Sequence, residues 1–156
     1  MIDKISSLGP EWKLQITVTI SSLQYRFASL FEAFTQGDRS NYVARITLFH
    51  GFFHICVSTD KGSSCGFASS LSNKAYKIEI NHILDRGIIK YQWHYQFKVD
   101  GKSILSVFQP FESKAPRKSF KNVEVYASSP FDAAPVKGVE LNAYRFTTIN
   151  AGTLRG

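Results

Sequence analysis

The sequence predicts an all-β domain, an antiparallel β-sandwich, and three observations carry that expectation. Apolar residues recur mostly at every second position, the period of a half-buried strand. Turn residues break these runs at the short intervals of a meander. One hairpin is written out in full. Tyr91, Trp93, Tyr95, Phe97 and Val99 alternate with Gln92, His94, Gln96 and Lys98, Asp100-Gly101 supplies the positive-φ pair of a tight turn, and Ser103 to Val107 return.

In chain order, residues 1–10 end at Gly9-Pro10 and read as a leader. Leu14, Ile16, Val18 and Ile20 alternate with Lys13, Gln15, Thr17 and Thr19, so Lys13 to Ile20 is a one-sided strand. Leu23, Tyr25 and Phe27 keep the period. Ala28 to Phe34 is read as strand, although Ala28, Leu30, Phe31 and Phe34 also fit a helical face. Gln36 to Asn41 is a polar, turn-rich loop before strands Tyr42 to Phe49 and Phe52 to Ser58, joined at His50-Gly51. Residues 66 to 74 are a small-residue loop, Tyr76, Ile78 and Ile80 a strand, and Asn81 to Gly87 a turn into the hairpin. Pro110 and Pro116 mark the next segment as loop. Phe120 to Tyr126 is a strand with Val123 and Val125 on one side and Glu124 on the other. The last strand, Val139 to Ile149, changes phase between Ala143 and Tyr144, which predicts a bulge or a bend.

These strands close most simply as a jelly roll in which Lys13–Ile20 lies beside Val139–Ile149, leaving neither long edge open. Residues 11–150 form the one domain and 151–156 a tail. At 156 residues and 44% hydrophobic content the chain can bury a substantial core. No apolar run reaches the roughly 20 residues that span a bilayer, so membrane insertion is not expected. The formal charge of +7 raises polyanions as partners. It is mostly dispersed, however, and nucleic acid is not the expected partner. Only Lys114, Arg117, Lys118 and Lys121 gather, as an anion-binding loop of heparin type or, more plainly, a solvated basic loop.

Cys56 and Cys65 flank a turn centred near Asp60 and Lys61, which brings them to facing positions within reach of a cross-strand disulfide. A bridge implies an oxidising, extracellular setting, and two buried free thiols are the alternative. A zinc site would need two more ligands, and no C-x-x-C spacing occurs.

The strands EWKLQITVTI, YKIEINHI, YQFKVDGKSI, FKNVEVYASSPF and LNAYRFTTI together resemble the concanavalin A-like lectin and glucanase superfamily, in its laminin-G-like or animal lectin-like jelly rolls. The resemblance covers nearly the whole domain. It implies a secreted, non-catalytic module that binds a glycan or glycoprotein, or a protein-interaction or adhesion module of the same fold, including a homo-oligomer. The galectin motifs H-x-N-x-R and W-x-x-E-x-R are absent, which argues against a standard galactose site. Glu11, Glu32, Glu79, Glu112, Glu124 and Glu140 stand apart, without the pair of carboxyls about 5–5.5 Å apart that retaining hydrolysis needs. Asp38, Asp60, Asp85 and Asp132 are scattered rather than clustered as a calcium site requires, and no cofactor is expected.

The expected glycan surface consists of outward residues on three strands, Arg45 and Thr47, His54, and Gln92, His94 and Gln96, with Asp38 and Arg39 from a rim loop. Such residues also furnish an ordinary solvated face. Trp93 has the shape of a sugar-stacking platform, but its parity places it with the core aromatics. Trp12 lies before the first strand, at an edge or in a partner contact.

Overall fold

The computed structural model describes residues 1–9, 11–21, 28–49, 51–59, 62–69, 74–86, 91–110, 119–127 and 138–148, with the backbone alone at 28, 49, 59, 62, 64, 69, 84–86, 91–95, 104–110 and 148. Within them run eleven strands: β1 (Asp3–Leu8), β2 (Trp12–Ile20), β3 (Ala28–Thr35), β4 (Asp38–Phe49), β5 (Phe52–Thr59), β6 (Gly62–Ser69), β7 (Lys74–Arg86), β8 (Tyr91–Val99), β9 (Lys102–Pro110), β10 (Phe120–Tyr126) and β11 (Val139–Thr148). They form an antiparallel jelly roll of two sheets, one of six strands ordered β1-β10-β3-β4-β5-β6 and one of five ordered β11-β2-β7-β8-β9.

The alternation read from the sequence is what buries the core. Trp12, Leu14, Ile16, Val18 and Ile20 of β2 point inward together with Tyr76, Ile78 and Ile80 of β7 and Phe97 of β8. They meet Phe31, Ala33, Ile46, Leu48, Phe53, Ile55, Val123 and Val125 from the six-stranded sheet. Each fully buried Ile, Leu or Phe contributes about 1.5–3 kcal/mol relative to exposure. As expected, β11 pairs with β2, and the register slips between Leu141 and Ala143, giving the bulge one residue before the phase change. At the β8–β9 turn Asp100 and Gly101 have φ of 50° and 79°, and the Asp100 carboxylate accepts from Lys77 N at 2.9 Å and from Lys74 Nζ at 2.8 Å.

Several expectations are corrected. Asp3–Leu8 of the expected leader form a strand, β1, which pairs along β10 with Leu8 opposite Phe120 and Ile5 opposite Val123. Gln36–Asn41 is mostly strand: only Gln36 and Gly37 turn, and β4 begins at Asp38. β6 continues to Ser69, and β7 runs unbroken to Arg86 where a turn from Asn81 was expected, because His82 takes the next inward position after Ile80 and is itself buried. Trp12 lies at neither an edge nor a partner contact; it is 1% exposed and packs 5.8 Å from both the His82 and Phe146 rings. Leu23, Tyr25, Phe27 and the 151–156 tail lie outside the described residues.

Candidate functional site

The outer face of the six-stranded sheet holds a cleft of about 160 Å³ lined by Glu32, Arg39, Tyr42, Arg45, Thr47, His54 and Cys56. A local irregularity builds it. Ala33 pairs with Ala44, but Phe34 pairs with Tyr42, so Val43 is an extra residue in β4. In a regular strand Tyr42 and Arg45 would point to opposite faces. With Val43 inserted they share one, and the Arg45 guanidinium lies 4.0 Å from the Tyr42 ring centroid. Arg45 Nη2 also donates to the Arg39 carbonyl, and Tyr42 shares a hydrogen bond with Ser63 of β6.

Glu32 sits directly opposite Arg45 and is buried, its Oε1 accepting from Arg39 Nη2 at 2.7 Å. Among the described residues its Oε2 has no partner, nor do Arg45 Nε and the hydroxyl of Ser29, which lies opposite Thr47 on the same face. An acceptor and a donor have thus lost water without gaining a protein partner, which costs each about 1–3 kcal/mol. Thr47 is buried, its hydroxyl 3.4 Å from the His54 carbonyl.

At the β6 edge the His54 ring stacks on Phe67, with centroids 4.5 Å apart and planes 8° from parallel. Phe67 is 65% exposed. Sequence parity could have found it, since it shares the face of Cys65 two residues before it. At the other end Phe34, Tyr42 and Cys56 form a second small apolar cluster, against which Tyr126 packs, stacked 5.2 Å from Phe34. The Tyr126 hydroxyl donates to Glu124 at 2.5 Å, which raises its pKa, with burial adding to the shift. Cys56 and Cys65 face each other across β5 and β6 and are disulfide-bonded, on the side away from the main core.

The expected glycan surface is therefore divided. Arg39, Arg45, Thr47 and His54 come together on the six-stranded sheet, but Gln92, His94 and Gln96 belong to β8 of the other sheet, on the opposite side of the sandwich. The side chains of Gln92 and His94 lie outside the described residues; Gln96 is half-buried opposite Asn81. Asp38 is on β4 rather than a rim loop, and its carboxylate accepts from the Ser40 backbone at 3.0 Å and from the Ser40 hydroxyl. Lys121 is exposed on β10, while Lys114, Arg117 and Lys118 lie outside the described residues.

A larger hollow of about 310 Å³ lies between β1 and β11, lined by Asp3, Ile5, Leu8, Tyr144, Arg145 and Phe146. There the Tyr144 hydroxyl donates to Asp3; burial and this bond together raise the Tyr144 pKa well above its usual value. The hollow marks the seam between the sheets and contains none of the unpartnered polar atoms, so the smaller cleft is the better site despite its size.

No family model matches the sequence, and no curated protein matches it. Solved structures match in fold. Galectin-11 of sheep, in complex with glycerol, is 14% identical over 93% of this chain and 95% of its own, with a TM-score of 0.50. The receptor binding domain of botulinum neurotoxin D is 7% identical over 96% of this chain and 37% of its own, with a TM-score of 0.59. The serotype D ligand binding domain in complex with N-acetylneuraminic acid is 9% identical over 94% of this chain and 36% of its own, again at 0.59. The chain thus spans a little over a third of the toxin domains it matches. At these identities the likeness establishes the fold alone, an antiparallel jelly-roll β-sandwich.

Proposed function

We propose that the protein is a non-catalytic, extracellular carbohydrate-binding module whose site is the cleft on the outer face of the six-stranded sheet. The observation that carries this reading is the unpartnered pair there, Glu32 Oε2 and Arg45 Nε on facing positions of β3 and β4. Both atoms are sealed from water in the free protein, so a sugar enters by displacing the half-exposed Arg39 side chain; its hydroxyls both donate and accept, and then answer the acceptor and the donor. The exposed Phe67 ring offers an apolar wall for a pyranose face, with His54 fixed behind it. The cleft is smaller than the roughly 300–1,000 Å³ that encloses a drug-sized ligand, which suits one ring seated on the sheet with the rest of the glycan outside. Two proteins of the same fold, crystallised with glycerol and with N-acetylneuraminic acid, support a polyol ligand. The disulfide fits an oxidising compartment.

A glycan array containing neutral and sialylated sugars, followed by calorimetric titration of the best ligand, tests the reading. Arg45→Ala and Phe67→Ala should each weaken binding at least about tenfold, the loss of roughly one charge-assisted bond or one stacked ring. Absence of saturable binding to any glycan by the folded, oxidised protein would remove the proposal and leave the protein-interaction reading of this fold. The homo-oligomer and polyanion expectations gain no support from the described residues; of the four clustered cations only Lys121 is among them.

A further inference from the structure

The spacing of Cys56 and Cys65 in the sequence offers no metal site, but the fold adds a ligand that spacing could not show. His54 lies two residues before Cys56 on β5, on the same face, and its Nε2 is 3.2 Å from Cys56 Sγ. The cross-strand pairing places Cys65 opposite Cys56, so one imidazole nitrogen and two sulfurs all lie within 4.8 Å of one another. Tetrahedral zinc, with bonds of about 2.3 Å to sulfur and 2.0–2.1 Å to nitrogen, needs donors separated by roughly 3.5–3.8 Å. The cluster brackets that spacing.

While the sulfurs are bonded to each other they are poor donors, because the metal ligand is the thiolate. An external dithiol changes this. Its two thiols pass two electrons and two protons to the bridge, Cys56 and Cys65 become free thiols, and the dithiol leaves as its own disulfide. Coordination then displaces one proton from each cysteine.

We propose that, once the disulfide is opened, the protein binds a thiophilic divalent cation of zinc type through His54, Cys56 and Cys65. Cys56 and His54 both line the cleft, so the fourth position faces it and is open to water or a ligand. The oxidised protein does not bind the cation at this site, which makes occupancy conditional on redox state. This inference shares His54 and Cys56 with the cleft but does not depend on the carbohydrate reading, since it needs neither Arg45 nor a sugar.

The test uses the full chain, reduced under anaerobic conditions and freed of reductant, with Co(II) as the optical probe and Zn(II) in competition with a chromophoric chelator. The reduced protein should take up one equivalent of Co(II) with a thiolate-to-metal charge-transfer band and the strong ligand-field bands of a tetrahedral site; the oxidised protein should show neither. His54→Ala should weaken Zn(II) by more than the roughly 10–100-fold that loss of a mere orienting partner causes. A Cys56→Ser/Cys65→Ser variant should abolish the bands. Circular dichroism of the reduced protein before metal addition shows whether the strands persist. If they loosen, one equivalent of metal should restore them. Reduced protein that gives no stoichiometric charge-transfer band, folded or not, overturns the proposal, and so does a His54→Ala variant with unchanged Zn(II) affinity.

Discussion

The ion pair in the cleft can be dismantled one charge at a time, and the order matters. The Glu32 side chain is 1% exposed and that of Arg39 is 42% exposed, with 2.7 Å between Oε1 and Nη2. Arg39→Ala removes the partner that water can readily solvate and strands the one it cannot. Truncating one member of a fully buried pair costs about 3–5 kcal/mol. Because Arg39 is already half in water, the expected cost is nearer that of one charge-assisted hydrogen bond, about 2 kcal/mol. Adding Glu32→Gln removes the stranded charge and leaves a neutral amide, so the double variant should be more stable than Arg39→Ala alone. Urea unfolding at fixed pH reads all three variants and the parent, with equal slopes confirming a common unfolding transition. If Arg39→Ala costs less than about 0.5 kcal/mol, the range of exposed pairs, or if the two changes simply add, the sealed environment argued for Glu32 is wrong.

Three further outcomes follow from the same structure. Gly101→Ala should cost about 1–2 kcal/mol, because φ is +79° and an added Cβ would meet nothing within 4 Å beyond its chain neighbours, so only backbone strain is at stake; thermal or urea unfolding measures it. Phe53→Ala should cost about 3–5 kcal/mol, since the ring is fully buried and meets Tyr76 edge-on at 5.1 Å. Stability should fall in acid. Lys74, by its hydrogen bond, and then the Lys77 amide hold the Asp100 carboxyl below its usual value. Burial pushes Glu79 up, but bonds from Gln15 and Lys77 and the charges of Lys77 and Lys98 outweigh it, and the net shift is downward. A depressed folded value means stability that is present above the unfolded carboxyl range and is lost as pH falls through the folded value. Asp100→Asn should therefore flatten part of the acid limb of the unfolding midpoint between about pH 5 and pH 2, and an unchanged limb would remove Asp100 from the account.

What the sequence disclosed was the parity of each strand, and what it withheld was strand order and bulges. The alternation from Lys13 to Ile20 located β2 and its inward face, and the facing cysteines located the bridge, because both depend only on local spacing. β1 escaped notice because DKISSL carries only Ile5 and Leu8, three apart, where a regular strand would place them on opposite faces. The strand is held by its pairing with β10, where Asn122 at φ 51° breaks the same period. Parity says which side of a strand is polar but not which sheet the strand joins. Arg45 and Gln96 are both outward, yet β4 and β8 lie in different sheets, and the expected single surface became two.

Those two outer faces differ in how their polar groups are satisfied. On the five-stranded sheet Gln15 donates to Glu79 at 2.9 Å, Lys77 pairs with Glu79 at 3.4 Å and Thr19 donates to Asn142 at 2.6 Å. Strand neighbours there answer one another, as they do on a surface selected only to face water, with Asn81 Oδ1 the exception among the described residues. On the six-stranded sheet the extra residue Val43 turns Tyr42 and Arg45 onto one side, and a buried acid, an aromatic ring and two guanidinium groups are crowded together with polar atoms left unanswered. A regular β4 would point Tyr42 and Arg45 to opposite sides and could not form the ring–guanidinium contact. Polar atoms left unanswered at a cost in folding energy are the feature that sets this face apart and on which the proposed carbohydrate site rests.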